Sequence, residues 1–286
     1  MGNNIEIYNK DKVKIIYADI FDGLNTIKDN SIDLIFIDPP YNIGKKFGDF
    51  IEKWDKEEDY IEWCYQWIDL CINKLKKNGS MYIMTSTEAM PYFDIYIRKK
   101  MKILSRIVWS YDSSGVQAKK YYGSLYEPIL FCVKNESNYI FNYEDILVEA
   151  KTGSTRKLID YRGKIPKPYN TKKVPGNTWY FPRVRYRMKE YENHPSQKPE
   201  ILLERIIKAS SNEGDIILDP FSGTFTTCSV AKKLGRRAIG IENQEEYIKI
   251  GLRRLEMEEK FKGEILTKDL KNFQINNKKD LFNVGA

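Results

Sequence analysis

The run Asp33-Leu34-Ile35-Phe36-Ile37 constrains the fold more than any other part of the chain. Consecutive apolar side chains cannot alternate between a buried and a solvated face, so a strand with this sequence must be covered on both faces. Strands of that kind occur in parallel sheets that have helices packed on either side. The sequence therefore predicts an α/β protein with this strand inside its sheet.

Six further segments have the length and composition of strands, and helical periodicity lies between several of them. The predicted strands cover residues 13–17, 81–85, 106–111, 128–133, 216–218 and 238–241. Helices are predicted over residues 57–77, 199–211, 225–234 and 244–258, and Gly79 is placed to end the first of them. The alternation of seven strands with helices predicts a doubly wound sheet.

Composition narrows the class of protein. No stretch approaches the ~20 apolar residues of a membrane span, and the first residues form no signal pattern. We therefore expect a cytoplasmic protein. The four cysteines are scattered without a CxxC pair, which predicts free thiols, and the single histidine, His194, argues against a metal cluster. No metal site is predicted.

Positive charge is concentrated between residues 151 and 190. This window has twelve Lys or Arg against two acidic residues, whereas the rest of the chain is slightly acidic. Six aromatic residues lie among the charges, a mixture that suits phosphate contacts and base stacking. The alternative is a solvated charged surface. We predict a nucleic-acid contact through Lys172, Lys173, Arg183, Arg185 and Arg187.

The motif Asp38-Pro39-Pro40-Tyr41 directly follows the apolar strand. It should lie at the carboxyl end of that strand, where open α/β sheets place their sites. Two prolines remove backbone donors, so the Asp38 carboxylate and the Pro39 carbonyl remain as acceptors for an amino group. Tyr41 offers a flat face for a base. The motif predicts a site that binds and activates an amino group.

A second motif, Asp219-Pro220-Phe221-Ser222-Gly223-Thr224, follows the predicted strand 216–218 and precedes a helix. A glycine turn at this junction allows a ligand to approach the backbone near a helix N-terminus. Glu242 ends the next predicted strand and corresponds to the acidic residue that holds ribose hydroxyls in nucleotide-binding folds. The absence of GxGxxG favours a nucleoside ligand over a dinucleotide.

The order of these motifs resembles the beta group of amino-methyltransferases acting on DNA. In that family the DPPY motif comes first, the cofactor-binding glycine motif comes last, and a target-recognition region lies between them. Residues 194–199 are similar to the family's HPxQKP segment, and Ala18-Asp19 to its adenine-binding motif. Residues 105–128 and 161–195 look most like the YhdJ-type adenine methyltransferases.

The resemblance implies a Rossmann-like seven-stranded sheet of the S-adenosylmethionine-dependent methyltransferase type with an inserted target-recognition region. It implies a catalytic half (1–138), a recognition region (139–193), a cofactor-binding half (194–260) and a tail (261–286). The implied catalytic motif is Asp38, Pro39, Pro40 and Tyr41. The implied cofactor site comprises Asp19, His194, Lys198, Asp219, Phe221, Gly223, Thr224 and Glu242.

The same resemblance implies S-adenosylmethionine as cofactor, double-stranded DNA as partner and N6 of a flipped adenine as the methylated atom. A nucleoid-associated location, a homodimer and a cognate restriction endonuclease on a separate chain are compatible with it. A short palindrome such as ATGCAT is the implied recognition sequence. One departure is Phe225, which replaces a glycine of the family's loop; cofactor binding is expected to survive if its side chain points away from the ligand.

Two alternatives remain open at this point. N4-cytosine methylation uses the same architecture, although it more often has Ser at the position of Asp38. A non-catalytic module that binds S-adenosylmethionine or DNA would be expected to have a broken DPPY motif, and the motif here is complete. C5-cytosine methylation is excluded because the chain has no Pro-Cys dipeptide to supply the nucleophilic thiolate.

Overall fold

The computed structural model describes residues 5–47, 50–51, 53–113, 118–151, 158–257, 259–261 and 264–266. Nine strands form one mixed sheet in the order β1-β2-β9-β8-β3-β4-β6-β5-β7. Their bounds are β1 Glu6–Lys10, β2 Val13–Tyr17, β3 Ile32–Ile37, β4 Leu75–Met84, β5 Lys102–Ser110, β6 Tyr126–Val133, β7 Thr178–Tyr180, β8 Ile216–Asp219 and β9 Arg237–Glu242.

Helices cover both faces of the sheet. They are α1 Ile20–Asn25, α2 Glu57–Lys74, α3 Met90–Ile97, α4 Glu200–Ser210, α5 Thr226–Lys233 and α6 Glu245–Arg254. Leu34 and Phe36 of β3 pack in one core with α4, α5 and α6. Ile35 and Ile37 of the same strand pack in the other core with α1, α2 and α3. The prediction of a strand covered on both faces is therefore confirmed.

The first and last parts of the chain share this sheet. Strands β8 and β9 lie between β2 and β3, so β2, β9, β8, β3 and β4 run parallel as neighbours. Strand β6 is antiparallel to both β4 and β5, and β7 is parallel to β5. One edge of the sheet therefore collects the residues at the carboxyl ends of the strands that run in one direction, together with the residues at the start of the oppositely directed β6. The strands of the first kind include β2, β3, β5, β7, β8 and β9.

All seven predicted strands are present, and the α/β doubly wound class is confirmed. The sheet has two further strands at its edges. Strand β1 pairs antiparallel with β2, and the three-residue β7 comes from the segment expected to be a separate recognition region. Both have too few buried residues to give a clear strand pattern, because an edge strand packs on fewer neighbours than a central one.

The end of α2 differs from the sequence-based prediction. The helix ends at Lys74, and β4 begins at the next residue, so Gly79 lies inside a strand. The irregular register of β3 and β4 between Ile32 and Leu34 falls beside this part of β4. A Cβ at Gly79 would lie 2.7 Å from the Leu75 Cγ, which explains the glycine by close packing instead of helix termination.

In its described residues, 134–151 and 158–199, the segment between β6 and α4 contains little regular structure. Apart from β7, it has a 3-10 turn at Tyr143–Ile146 and the short pairs Val148–Glu149 with Lys172–Lys173 and Ile159–Asp160 with Lys167–Pro168. Most of the predicted tail lies outside the described residues. Within the described part of the chain, no helix has the length and apolarity that crossing a membrane requires.

Phe225 has the left-handed backbone conformation that favours glycine, with φ 58°. Its ring is fully buried in the core, and it does not line the cavity at the carboxyl ends of the parallel strands. Gly240 and Gly251 make room for it: a Cβ at Gly240 would lie 2.7 Å from the Phe225 Cε1, and a Cβ at Gly251 would overlap the same ring. The ring's burial thus offsets the strain of the backbone at this position.

Replacing Phe225 by glycine should therefore destabilise the protein although it removes backbone strain. Loss of the buried ring costs about 3–5 kcal/mol, and relief of the left-handed conformation returns ~1–2 kcal/mol. We expect the free energy of unfolding, measured with urea, to fall by about 1–4 kcal/mol. Asp11→Gly, at an exposed residue with φ 52°, is the matched control and should not destabilise the protein. Wild-type stability of Phe225→Gly would refute this account.

Candidate active site

Four neighbouring parallel strands each lead into an acidic residue. Asp38 follows β3, Asp219 ends β8, Glu242 ends β9, and Asp19 lies two residues after β2. The sheet brings all four side chains to one edge, where they line a cavity of about 250 Å³. Such a concentration of carboxylates is costly without a ligand that is cationic or rich in hydrogen-bond donors.

Glu242 orders the glycine turn. Its Oε2 accepts a hydrogen bond of 2.9 Å from the Gly223 backbone N–H, and its Oε1 accepts bonds of 2.9 and 2.8 Å from the N–H groups of Asn243 and Gln244. Burial raises the pKa of Glu242 to about 7, although these three backbone donors favour the carboxylate. One side chain therefore connects the end of β9 to the turn after β8.

Asp219 is the most enclosed of the four acids, with 4% of its surface exposed. Its Oδ1 accepts a hydrogen bond of 3.1 Å from the Phe221 N–H. Burial raises the pKa of Asp219 to about 7, hydrogen bonds from Thr227 and Phe221 counter this in part, and the charge of Asp38 adds to it. Two carboxyl groups of the cavity thus titrate near neutral pH in the free protein.

His194 forms the wall against which the glycine turn packs. Gly223 has φ +49°, and a Cβ there would lie 3.0 Å from the His194 Nε2. The His194 ring packs edge-on against Tyr247, with 4.5 Å between ring centroids. Burial, aided by the positive charges of Lys198 and Lys45, lowers the pKa of His194 to about 3, so the imidazole is neutral at neutral pH.

Asp38 is the centre of a buried polar cluster. Its Oδ1 accepts a hydrogen bond of 2.7 Å from the Tyr41 hydroxyl, and its Oδ2 forms an ion pair of 2.7 Å with the Lys198 Nζ. Burial raises the pKa of Asp38, and Lys198 counters the increase. Burial would lower the pKa of Lys198, but the carboxylates of Asp38 and Glu127 raise it above its ordinary value.

Sequence reasoning did not identify Glu127. Its Oε2 lies 3.1 Å from the Tyr41 hydroxyl and 3.4 Å from the Lys198 Nζ, and its Oε1 accepts a bond of 3.3 Å from Tyr111. Glu127 is near the start of β6, and that end of an antiparallel strand lies beside the carboxyl ends of its parallel neighbours. The acid before Pro128 was visible in the sequence, but the direction of β6 was not.

A second, smaller cavity adjoins the first through Asp38, Pro39 and Lys198. Trp109 and Tyr41 supply aromatic surface to it, and Glu127 and Arg183 supply charge. The Arg183 guanidinium lies 5.1 Å from the centroid of the Tyr111 ring. Asp38 therefore faces two spaces, a larger one that contains the four acids and the glycine turn, and a smaller one that contains Tyr41, Trp109 and Glu127.

An aromatic wall, also missed from the sequence, closes part of the larger cavity. Trp54 and Trp63 line it, with 5.0 Å between their ring centroids, and the Trp63 ring lies 6.0 Å from the Phe221 ring. Rings of this kind suit a flat heterocycle, and the carboxylates suit hydroxyl groups and positive charge. These rings and carboxylates therefore fit a nucleoside that carries positive charge.

The structure brings the predicted cofactor residues together. The larger cavity is lined by all eight of them: Asp19, His194, Lys198, Asp219, Phe221, Gly223, Thr224 and Glu242. Asp38, Pro39 and Pro40 line it too, and Tyr41 lines the smaller cavity. The basic residues separate into two groups: Arg183 reaches the smaller cavity, whereas Lys172, Lys173, Arg185 and Arg187 are exposed.

A family model described as DNA methylase, N6_N4_Mtase, matches residues 32–253. The chain belongs to this family of DNA methylases. The family resemblance and the prediction of an enzyme are therefore confirmed. The matched residues include both the DPPY motif and the glycine turn.

The methylase is similar to curated proteins along most of its length. It is 62% identical over 254 residues to DNA adenine methyltransferase YhdJ of Escherichia coli (strain K12), covering 89% of this chain and 86% of the relative. It is 35% identical over 247 residues to type II methyltransferase M.HpaI of Haemophilus parainfluenzae, covering 86% and 74%.

Solved structures share the fold of the methylase. The M1.HpyAVI-SAM complex is 26% identical, with a TM-score of 0.60, and the match covers 85% of this chain and 98% of that one. PvuII DNA methyltransferase, described as cytosine-N4-specific, is 17% identical, with a TM-score of 0.64 and coverage of 86% and 87%. At that identity the second match supports the fold alone.

The raised pKa of Asp219 makes the stability of the ligand-free methylase dependent on pH. A folded-state pKa of about 7, above the unfolded value near 4, means that ionising Asp219 lowers stability as pH rises from about 4 to about 7. Asp219→Asn lacks this effect, so its stability relative to wild type should increase with pH across that window. Urea unfolding of both proteins at about pH 4 and about pH 7 measures the difference in their free energies of unfolding. The titration of His194 affects both proteins and therefore does not contribute to that difference. A difference that does not change with pH would contradict the pKa of Asp219.

Proposed function

We propose that the methylase transfers a methyl group from S-adenosylmethionine to N6 of an adenine in double-stranded DNA. The observation that carries this proposal is the position of Asp38 where the larger cavity meets the smaller one. An amino group presented from the smaller cavity would lie between an ionisable acceptor and the space for the methyl donor. The relative at 62% identity is named a DNA adenine methyltransferase.

In this proposal S-adenosylmethionine occupies the larger cavity and supplies a methyl group on a positively charged sulfur. Asp219 and Gly223 shape its methionine end, Glu242 accepts hydrogen bonds from the ribose hydroxyls, and Asp19 contacts the adenine. Thr224, Phe221, His194 and Lys198 complete the wall. A positively charged ligand in this cavity would lower the raised pKa values of Asp219 and Glu242 and favour their ionised forms.

Asp38 has the central chemical role. Its carboxylate accepts a hydrogen bond from the exocyclic amino group, which increases the electron density on that nitrogen and favours its attack on the methyl carbon. Positive charge develops on the nitrogen as the N–C bond forms and the S–C bond breaks, and a fixed carboxylate stabilises that charge. The donor would leave as a neutral thioether, and the nitrogen would then lose its extra proton to the Asp38 carboxylate or, through it, to solvent.

The DNA duplex cannot present N6 to this buried acid while the base is stacked, so the adenine must flip out of the helix. Tyr41 is proposed to stack on it. The division of the chain into residues 1–138, 139–193, 194–260 and 261–286 remains a proposal, with the second segment reading the DNA through its exposed lysines and arginines. A cytoplasmic location, a homodimer and a separate restriction endonuclease remain predictions from sequence and resemblance.

Asp38→Ala should abolish most methylation without loss of ligand binding. The acceptor is removed where the barrier is highest, so we expect the single-turnover rate constant to fall roughly a hundredfold or more. Calorimetric affinity for S-adenosylmethionine should remain close to wild type. Digestion of wild-type reaction products to nucleosides, followed by mass spectrometry, should give N6-methyladenine.

Asp59→Ala, at an exposed residue of α2, is the matched control and should retain full activity. A duplex containing ATGCAT and a scrambled duplex separate sequence-specific from general methylation. Wild-type products that contain only N4-methylcytosine would establish the alternative reaction. Asp38→Ala that methylates DNA at the wild-type rate would refute the catalytic assignment.

Arg185→Ala/Arg187→Ala should weaken DNA binding and its salt dependence. The slope of log affinity against log salt should become shallower by about 0.9 for each DNA phosphate that an arginine no longer neutralises. Arg183 is left intact because it lines the smaller cavity. Lys249→Ala, on α6 and paired with Glu245, is the control. If the double variant keeps the wild-type slope and site preference, these arginines belong to a solvated surface.

A further inference from the structure

We propose that Glu127 is a positioning residue. Its carboxylate accepts the hydrogen bonds of Tyr41 and Lys198 when the target amino group binds to Asp38 in their place. This inference rests on the proposed function. The smaller cavity, in which Glu127 lies beside Asp38 and Trp109, is the space assigned there to the target base. No motif of the sequence marks Glu127, and its role follows from the geometry around Asp38.

Both oxygens of Asp38 are occupied in this structure. The Tyr41 hydroxyl donates to Oδ1 at 2.7 Å, and the Lys198 ammonium donates to Oδ2 at 2.7 Å. A carboxylate has about four acceptor positions, and these two donors take one on each oxygen. Both donors also line the smaller cavity, so an amino group that enters from there competes with them for the acceptor positions on that side of Asp38.

Glu127 is within reach of both donors. Its Oε2 lies 3.1 Å from the Tyr41 hydroxyl and 3.4 Å from the Lys198 Nζ, slightly farther away than Asp38 in each case. If the Tyr41 hydroxyl or the Lys198 ammonium moved by a fraction of an ångström, its shorter hydrogen bond would be to Glu127 instead of Asp38. The two carboxylates thus form alternative acceptors for the same pair of donors.

The second carboxylate matters because Lys198 is buried, with 7% of its surface exposed. Its other acceptor among the described hydrogen bonds is the Ser196 carbonyl, at 3.2 Å. Moving a buried ammonium away from its only carboxylate is strongly unfavourable. With Glu127 present, Lys198 remains paired in both arrangements, so Asp38 can be released to the base.

Glu127 is also suited to remain ionised. Burial alone would raise its pKa, but Lys198, the Tyr41 hydroxyl, Lys45 and Arg183 lower it below its ordinary value. The Tyr111 hydroxyl donates to its other oxygen at 3.3 Å. A purely structural ion pair would predict a common loss of stability and binding on substitution, whereas an acceptor exchange predicts a specific loss in the chemical step.

The test is Glu127→Gln, which keeps the shape and the acceptor for Tyr41 but removes the charge that holds Lys198. We expect the single-turnover methylation rate constant to fall by roughly ten- to a hundredfold, the range for losing a charge-assisted bond. Affinity for S-adenosylmethionine, KM for DNA and Tm should stay close to wild type. Glu127→Asp, which keeps the charge, should recover part of the rate.

Glu204→Gln, at a partly exposed acid paired with Lys208 on α4, is the matched control for loss of one charge and should leave the rate unchanged. A wild-type rate in Glu127→Gln would overturn the inference, as would a fall in Tm and in both affinities that accounts for the slower rate. No rescue by Glu127→Asp would count against it as well. Failure of the proposed function is distinguishable, because the wild-type enzyme would then form no N6-methyladenine.

Discussion

The parallel alignment of β2, β9, β8 and β3 is the constraint on which the site depends. Each strand places one acidic side chain at the same edge. The four acids come from the first and the last parts of the chain, so only the sheet brings them together. Backbone hydrogen bonds of the sheet fix their spacing before any ligand is bound. The covered faces of the sheet make that arrangement rigid, because two apolar cores hold the strands from both sides.

Burying these acids has an energetic cost, and the protein distributes it. Glu242 is held by three backbone N–H groups, Asp219 by Phe221 and Thr227, and Asp38 by Tyr41 and Lys198. Asp219 and Glu242 still have pKa values near 7, so both are partly protonated at neutral pH in the free protein. A positively charged nucleoside would lower these pKa values and favour the ionised carboxylates, whose positions the sheet already fixes.

Lys198 couples the two cavities. Its ammonium lies between Asp38 and Glu127, and its segment also carries His194, which packs against the glycine turn. One short segment therefore touches the turn proposed to bind the cofactor and the acid proposed to bind the target amine. Both carboxylates, Asp38 and Glu127, stabilise the charge on Lys198. A substitution of either acid therefore changes the hydrogen bonding of the other through Lys198.

The sequence by itself determined the seven central strands, the family and eleven acid, proline, glycine and other residues that line the larger cavity. It could do so because a doubly covered strand leaves an apolar run and because motifs at strand ends keep their local order. Gly79 shows where local reading fails, and Phe225 shows where it leaves the outcome open. Both positions depend on what packs against them, Leu75 in the first case and Gly240 and Gly251 in the second. Only the tertiary structure decided that β6 runs antiparallel, that Trp54 and Trp63 wall the cavity, and that Glu127 meets Lys198. Strand direction and the partner of a buried charge are set by contacts between distant residues, and those contacts leave no local pattern in the chain.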